Sequence, residues 1–198
     1  PNSRLVMGAM PVNGVPEEVR QWFEDEGVSV ERISFFPRSG MTEYLRLHEN
    51  ADVCLDTFPY TGGTTTFHAL WMGVPTLTLA GDTLSGRQSS IILHSVGLES
   101  GCVASDLSGI VQLAKAWDAQ PDILNKVRRS LQEAYFSQEN IAKPEVMVKS
   151  TVLAMRKMWA RWCAGKNPDN FQISYEDINS DFLGEFLKKY LNDFKIGT

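Results

Sequence analysis

The stretch best equipped for chemistry is Gly62-Gly63-Thr64-Thr65-Thr66, which follows the apolar run Val53-Cys54-Leu55 and its closing Asp56. Two successive glycines let the backbone approach a ligand closely and adopt dihedrals that other residues avoid. The threonines then open a helix whose first amides lack intrahelical acceptors, and whose dipole places partial positive charge there. Such a start is a ready seat for a phosphate. The hydroxyls of Thr64, Thr65 and Thr66 either add donors or cap the helix. The same residues also fit a ligand-free glycine turn with a threonine cap. Neither the Lys-Ser/Thr ending of a P-loop nor the G-x-G-x-x-G spacing of a dinucleotide fingerprint is present.

Other chemistry-bearing residues have plainer readings beside the functional one. Arg87, in Leu84-Ser85-Gly86-Arg87-Gln88, begins a helix and can reach an anion, or can face solvent. Asp82, with Thr83, caps that helix or orients Arg87. Asp56 reads as a loop-organising carboxylate bonded to backbone N–H groups rather than as a catalytic acid. His94 lies in the apolar run Ile91-Ile92-Leu93 and reads as a core residue. His48 sits near a helix end, where a cation is electrostatically favourable. Ser89 and Ser90 lack a neighbouring His–acid pair, so no hydrolase triad is indicated. Cys54, Cys102 and Cys163 show no C-x-x-C spacing and read as three reduced, largely buried thiols, with no structural zinc site.

The elements that must position these residues alternate. Leu5–Met10, Arg32–Phe36, Asp52–Asp56 and Thr76–Leu79 read as strands, with a weaker fifth at Gly101–Ala104. Helical patterns fall between them: from Pro16 to about Glu26, Met41 to His48, Thr64 to Met72, and Ser85 to Val96. This alternation predicts βαβ units and a parallel sheet with helices on both faces. Ligands of such sheets bind beyond the carboxyl ends of the strands, here the loops after Phe36, Asp56 and Leu79. Three further helices are expected over 106–118, 121–136 and 143–163. The last carries Met155, Met158, Trp159 and Trp162, which read as core. Residues 1–168 are expected to form one α/β lobe with its closing helices, and 169–198 a linker and amphipathic tail. Phe182, Leu183, Phe186, Leu187, Tyr190, Leu191 and Phe194 would line one face of that tail.

The chain has 198 residues, 43% of them hydrophobic and 22% charged, with a net charge of −5. That size suffices for a true core. The mild negative charge argues against sequence-independent nucleic-acid binding, so a bound anion must be held by local geometry. No apolar run approaches the length of a membrane span, and no signal peptide is visible. A cytoplasmic location is expected. The opening at Pro1-Asn2-Ser3 without Met suggests a fragment.

The ordered succession Ala51-Asp52-Val53-Cys54-Leu55-Asp56-Thr57, Gly63-Thr64-Thr65, Ala69-Leu70-Trp71-Met72-Gly73-Val74-Pro75 and Gly81-Asp82-Thr83-Leu84-Ser85-Gly86-Arg87 resembles the C-terminal catalytic region of the O-GlcNAc transferase family, bacterial type. The likeness spans about Pro1 to Asn170. It implies a Rossmann-like lobe, the C-terminal half of a two-lobed GT-B glycosyltransferase. It further implies a UDP-sugar donor, usually UDP-GlcNAc, inversion at the anomeric carbon without a metal or other cofactor, and protein Ser/Thr acceptors. On this likeness Gly62, Gly63, Thr64, Thr65 and Arg87 would meet the diphosphate. Arg38, Ser39, Tyr44 and His68 would meet the nucleoside.

Two positions depart from the family pattern. Gly63 stands where the family often has His, and His68 where an acidic residue commonly binds ribose. A neutral imidazole still hydrogen-bonds ribose hydroxyls. The family's acceptor-side histidines and its diphosphate-holding lysine belong to regions preceding Pro1. No catalytic residue is therefore assigned in this chain, and the chain alone is expected to be inactive. Two alternatives accompany this reading: another nucleotide-sugar enzyme such as an epimerase, or an interaction module with a vestigial nucleotide site. Self-association through the C-terminal helices is a further alternative, as is exposure of part of the apolar face of 143–163, or its pairing with another molecule, where a facing lobe is missing. Whether tetratricopeptide repeats lie upstream is open.

Overall fold

The computed structural model describes residues 3–11, 15–135, 143–174 and 177–178. The chain divides into two compact units, residues 1–135 and 136–198.

The first unit alternates strand and helix as the sequence pattern predicts. It begins with β1 (Leu5–Met10), α1 (Val15–Asp25), β2 (Ile33–Pro37) and α2 (Met41–Leu47). β1 and β2 pair in parallel, Leu5 opposite Ile33 and Met7 opposite Phe35. There follow β3 (Cys54–Leu55), α3 (Thr64–Trp71), β4 (Thr76–Leu79), α4 (Gln88–Ser95), α5 (Glu99–Cys102) and β5 (Val103–Ala104). These strands form a second parallel sheet in the order β3-β4-β5. α6 (Leu107–Asp118) and α7 (Pro121–Tyr135) complete the unit. Asp106 caps α6, its carboxylate accepting from the Gly109 amide at 2.7 Å.

Three boundaries differ from the sequence reading. The expected single sheet is two, β1-β2 and β3-β4-β5, and β3, preceded by a bend at Asp52 and Val53, is only two residues long. Arg128 fixes that bend, donating to the Ala51 carbonyl at 2.7 Å. α4 starts at Gln88 and not at Ser85, since Thr83–Gly86 closes a turn through Gly86 N–H to the Thr83 carbonyl at 3.1 Å. The first half of the expected fifth strand is the short helix α5.

β4 is the buried centre: Thr76, Leu77 and Thr78 are almost wholly enclosed. Leu70 of α3, Leu93 of α4 and Val74 are completely buried beside them. Each buried leucine stabilises the fold by about 2–3 kcal/mol. Burial pushes the Cys102 thiol up to about 12. The Cys54 thiol rises to about 11, chiefly through burial, with Arg128 opposing and Asp56 assisting. These two are the inert thiols the sequence suggested; Cys163, by contrast, is exposed.

His94 is not a core residue. The buried face of α4 is Ser89, Ile92 and Leu93, and His94 lies roughly 150° from its middle at about 100° per residue. It is exposed and pairs with Glu99 at 2.6 Å, an arrangement worth little at a surface. His48, near the end of α2 as expected, is buried, with Nδ1 3.1 Å from the Leu45 carbonyl.

The second unit is built on α8 (Pro144–Cys163). Val146, Leu153 and Ile178 form its core, with Ile173 packed beside them. Met155, Met158, Trp159 and Trp162 are exposed, contrary to the expectation that they are core. They fall on the side of the helix opposite Leu153, about 140–240° around from it. The expected tail helix, from Phe182 to Phe194, lies outside the described residues. No helix among the described residues is long and apolar enough to cross a membrane.

Candidate functional site

The loop after β3 is organised by one carboxylate. Asp56 Oδ1 accepts from the Thr57 amide at 3.0 Å and the Gly62 amide at 2.8 Å. Its Oδ2 accepts from the Thr78 hydroxyl of β4 at 2.8 Å. Asp56 thus has the loop-organising role and spends both oxygens on it. The loop ends at Gly63, which precedes α3 without any side-chain cap. The first amide to enter the helical ladder is that of Phe67, which donates to the Gly63 carbonyl at 3.1 Å. The amides of Thr64, Thr65 and Thr66 precede the ladder and are the orphan donors of the helix start. Thr64 and Thr65 are exposed, so two hydroxyls stand beside these amides.

The far end of α3 is equally fixed. Val74 N–H donates to the Ala69 carbonyl at 2.8 Å and Gly73 N–H to the Leu70 carbonyl at 3.0 Å. This is a Schellman closure with Gly73 at φ +75°, where a side chain would be strained and would strike the Arg128 carbonyl. The helix therefore cannot slide, and its start is held at the sheet edge.

The loop after β4 is laced to the same place. The amide and hydroxyl of Thr61 both donate to the Ser85 carbonyl, at 3.0 and 2.8 Å. Ser89 of α4 donates to the Gly62 carbonyl at 2.7 Å and shares a 2.7 Å hydrogen bond with Thr66 of α3. The starts of α3 and α4 are thereby drawn together. Arg87 occupies the N-cap of α4, is exposed, and makes no side-chain hydrogen bond or ion pair among the described residues. Asp82 does not cap α4, because α4 begins six residues later and the Thr83 hydroxyl accepts from Gly86 instead.

The residues expected on the nucleoside side are partly brought together. The ring of Tyr44, on α2, lies edge-on to that of His68, on α3, at 5.5 Å. His48 stacks edge-on to the same tyrosine at 5.2 Å. Burial, assisted by Cys54, raises the Tyr44 hydroxyl above its ordinary value. Nδ1 of His68 is buried without a hydrogen-bond partner. Arg38 and Ser39 are exposed in the loop between β2 and α2 and make no side-chain hydrogen bond or ion pair among the described residues. The structure joins Tyr44 to His68, and Gly62 through Thr65 into one turn. It gives the side chains of Arg38, Ser39 and Arg87 no partner among the described residues.

Sequence reasoning missed the polar groups behind the loop: the hydroxyls of Thr61, Thr78 and Ser89 and the carbonyl of Ser85, and the Thr66 hydroxyl, expected as a donor or a cap, is instead buried against Ser89. One signal was available. Ser89 shares a helical face with Ile92 and Leu93, and a buried hydroxyl needs a partner.

A family model described as glycosyl transferase family 41 matches residues 1–142. A protein of Hordeum vulgare named probable UDP-N-acetylglucosamine–peptide N-acetylglucosaminyltransferase SPINDLY is 30% identical over 192 residues, 96% of this chain and 20% of that protein. Its namesake in Arabidopsis thaliana is 32% identical over 190 residues, 92% of this chain and 20% of that protein. The chain thus spans about a fifth of the length of these curated relatives. An O-GlcNAc transferase mutant of Thermobaculum terrenum superposes with a TM-score of 0.67 at 29% identity, over 82% of this chain and 31% of that one. Sucrose-phosphate synthase of Thermosynechococcus elongatus gives 0.51 at 17% identity, over 82% of this chain and 38% of that one, a likeness of fold alone.

Proposed function

The chain belongs to glycosyl transferase family 41, with the Rossmann-like α/β architecture of the C-terminal GT-B lobe, and on that premise we propose that it binds the donor nucleotide-sugar of a protein glycosyltransferase. The observation that carries this reading is the uncapped start of α3, with orphan amides at Thr64–Thr66 and two exposed hydroxyls beside them. A helix start of this kind holds a diphosphate and favours the negative charge that develops on it. In the transfer we propose, an acceptor Ser or Thr oxygen attacks the anomeric carbon from the face opposite the leaving group. The bond from that carbon to the diphosphate oxygen breaks, its electron pair stays on the departing UDP, and the configuration inverts. The helix starts and Arg87 supply the positive potential, without a metal. UDP-GlcNAc is the proposed donor, since relatives are named for it. Tyr44 and His68 would border the nucleoside, and Arg38 and Ser39 would complete that side. The acceptor and its proton-accepting base come from outside this chain, which alone does not turn over.

The test is calorimetric titration of the 198-residue chain with UDP, with GDP for comparison. Saturable UDP binding is expected, weakened about tenfold by Thr64→Ala with Thr65→Ala. Binding of neither nucleotide at millimolar concentration would sink the donor-lobe reading. It would favour a second one, an interaction module with a vestigial site, for which the exposed Trp159 and Trp162 on α8 speak.

A further inference from the structure

Behind the turn of the proposed site lies a hydroxyl chain whose direction can be worked out. Ser89 Oγ is 2.7 Å from the Gly62 carbonyl, which only accepts, so Ser89 spends its one proton there. Thr66 Oγ1, also 2.7 Å from Ser89 Oγ, must then be the donor of that second bond. The chain runs Thr66 hydroxyl to Ser89 hydroxyl to Gly62 carbonyl. Ser89 is completely buried, and Thr66 nearly so. The Thr66–Ser89 bond is buried from solvent and the bond to the Gly62 carbonyl partly so, and each polarises the next.

This fixes more than packing. The peptide joining Gly62 to Gly63 is planar and trans, so its N–H points opposite its C=O. With the carbonyl held toward buried Ser89, the Gly63 amide is turned the other way, and it donates no hydrogen bond among the described residues. The preceding peptide is pinned as well, by the Gly62 amide on Asp56 at 2.8 Å. Glycine itself offers no resistance to rotation, so the two flanking hydrogen bonds are what orient this peptide.

We propose that Ser89 is a positioning residue of the donor site, locking the Gly62–Gly63 peptide so that the Gly63 amide joins the orphan amides of α3 as a donor to the diphosphate. This rests on the donor-lobe reading above. Ser89 touches no ligand; it acts through one peptide plane. Its effect is therefore confined to phosphate recognition and leaves nucleoside recognition alone.

The test compares wild type, Ser89→Ala and Ser89→Cys in the full 198-residue chain, with UDP titrated calorimetrically and uridine followed by ligand-observed NMR. Ser89→Ala is expected to weaken UDP about tenfold and to leave uridine within twofold. Ser89→Cys, close in shape but a poor donor, should fall between and keeps the test decisive if the alanine variant does not fold. UDP affinity within twofold of wild type in the folded variants overturns the lock while leaving the donor-lobe reading intact. Equal losses for UDP and uridine overturn it too, marking Ser89 as merely structural. Absence of UDP binding by the wild type overturns the donor-lobe reading and the lock with it.

Discussion

Asp56→Ala is expected to cost the first unit about 3 kcal/mol of stability and to reduce UDP affinity roughly a hundredfold. The carboxylate accepts from two amides, Thr57 and Gly62, and from the Thr78 hydroxyl. Removing it leaves the Thr57 and Gly62 amides without their acceptor, and the Thr78 hydroxyl, completely buried and out of reach of water, with only a long 3.4 Å contact to the Leu79 carbonyl. The loop then loses the bond that sets the Gly62 amide, and the start of α3 loses its aim. Asp56→Asn should be much milder. Its carbonyl oxygen can accept from the two amides while its NH2 donates to the Thr78 hydroxyl oxygen, whose own proton turns to the Leu79 carbonyl at 3.4 Å. Urea denaturation and UDP titration check both variants. Stability and affinity unchanged in Asp56→Ala would show that the loop is held by something else.

Gly62→Ala is the second large effect. A Cβ there would lie 2.6 Å from the Thr65 hydroxyl oxygen, 2.7 Å from that of Thr66 and 3.3 Å from Asp56 Oδ1. The exposed Thr65 hydroxyl can turn aside, but Thr66 is buried and bonded to Ser89 and Asp56 is bonded through both oxygens, so neither of these moves without disturbing the turn. Overpacking of this kind costs about 2 kcal/mol, and UDP binding should fall at least tenfold. Gly63→Ala serves as the contrast. Its Cβ would meet Gln88 Oε1 at 2.5 Å, the far end of a flexible side chain that can swing aside. The neighbouring glycines should thus differ sharply in thermal melting and in UDP titration. Equal tolerance at both positions would contradict the geometry of the turn.

Much of this site is legible in the sequence because its parts are local. Glycines before threonines after a short apolar run dictate a turn and a helix start, and Gly73-Val74-Pro75 dictates the stop. Asp56 could be placed as a loop organiser because a carboxylate at a strand end has few other uses. The parts that could not be read are those set by distant pairing. Ser89 and Gly62 are 27 residues apart. Only the folded sheet, which lays α4 beside α3, reveals that one hydroxyl serves the other's peptide. The same limit explains His94. Its neighbours in sequence are apolar, yet a helix distributes neighbours around its axis, and the core takes Ile92 and Leu93 while leaving His94 outside. Trp159 and Trp162 read as core on hydrophobicity alone, whereas the second unit buries the opposite side of α8.

The central claim is that the start of α3 receives the donor diphosphate, and amide chemical shifts read it most directly. An isotope-labelled chain titrated with UDP should show its largest amide shifts at Gly63, Thr64, Thr65 and Thr66, with uridine alone moving them little. Saturable UDP binding whose shifts lie elsewhere, on α6 or along α8 for example, would contradict the account.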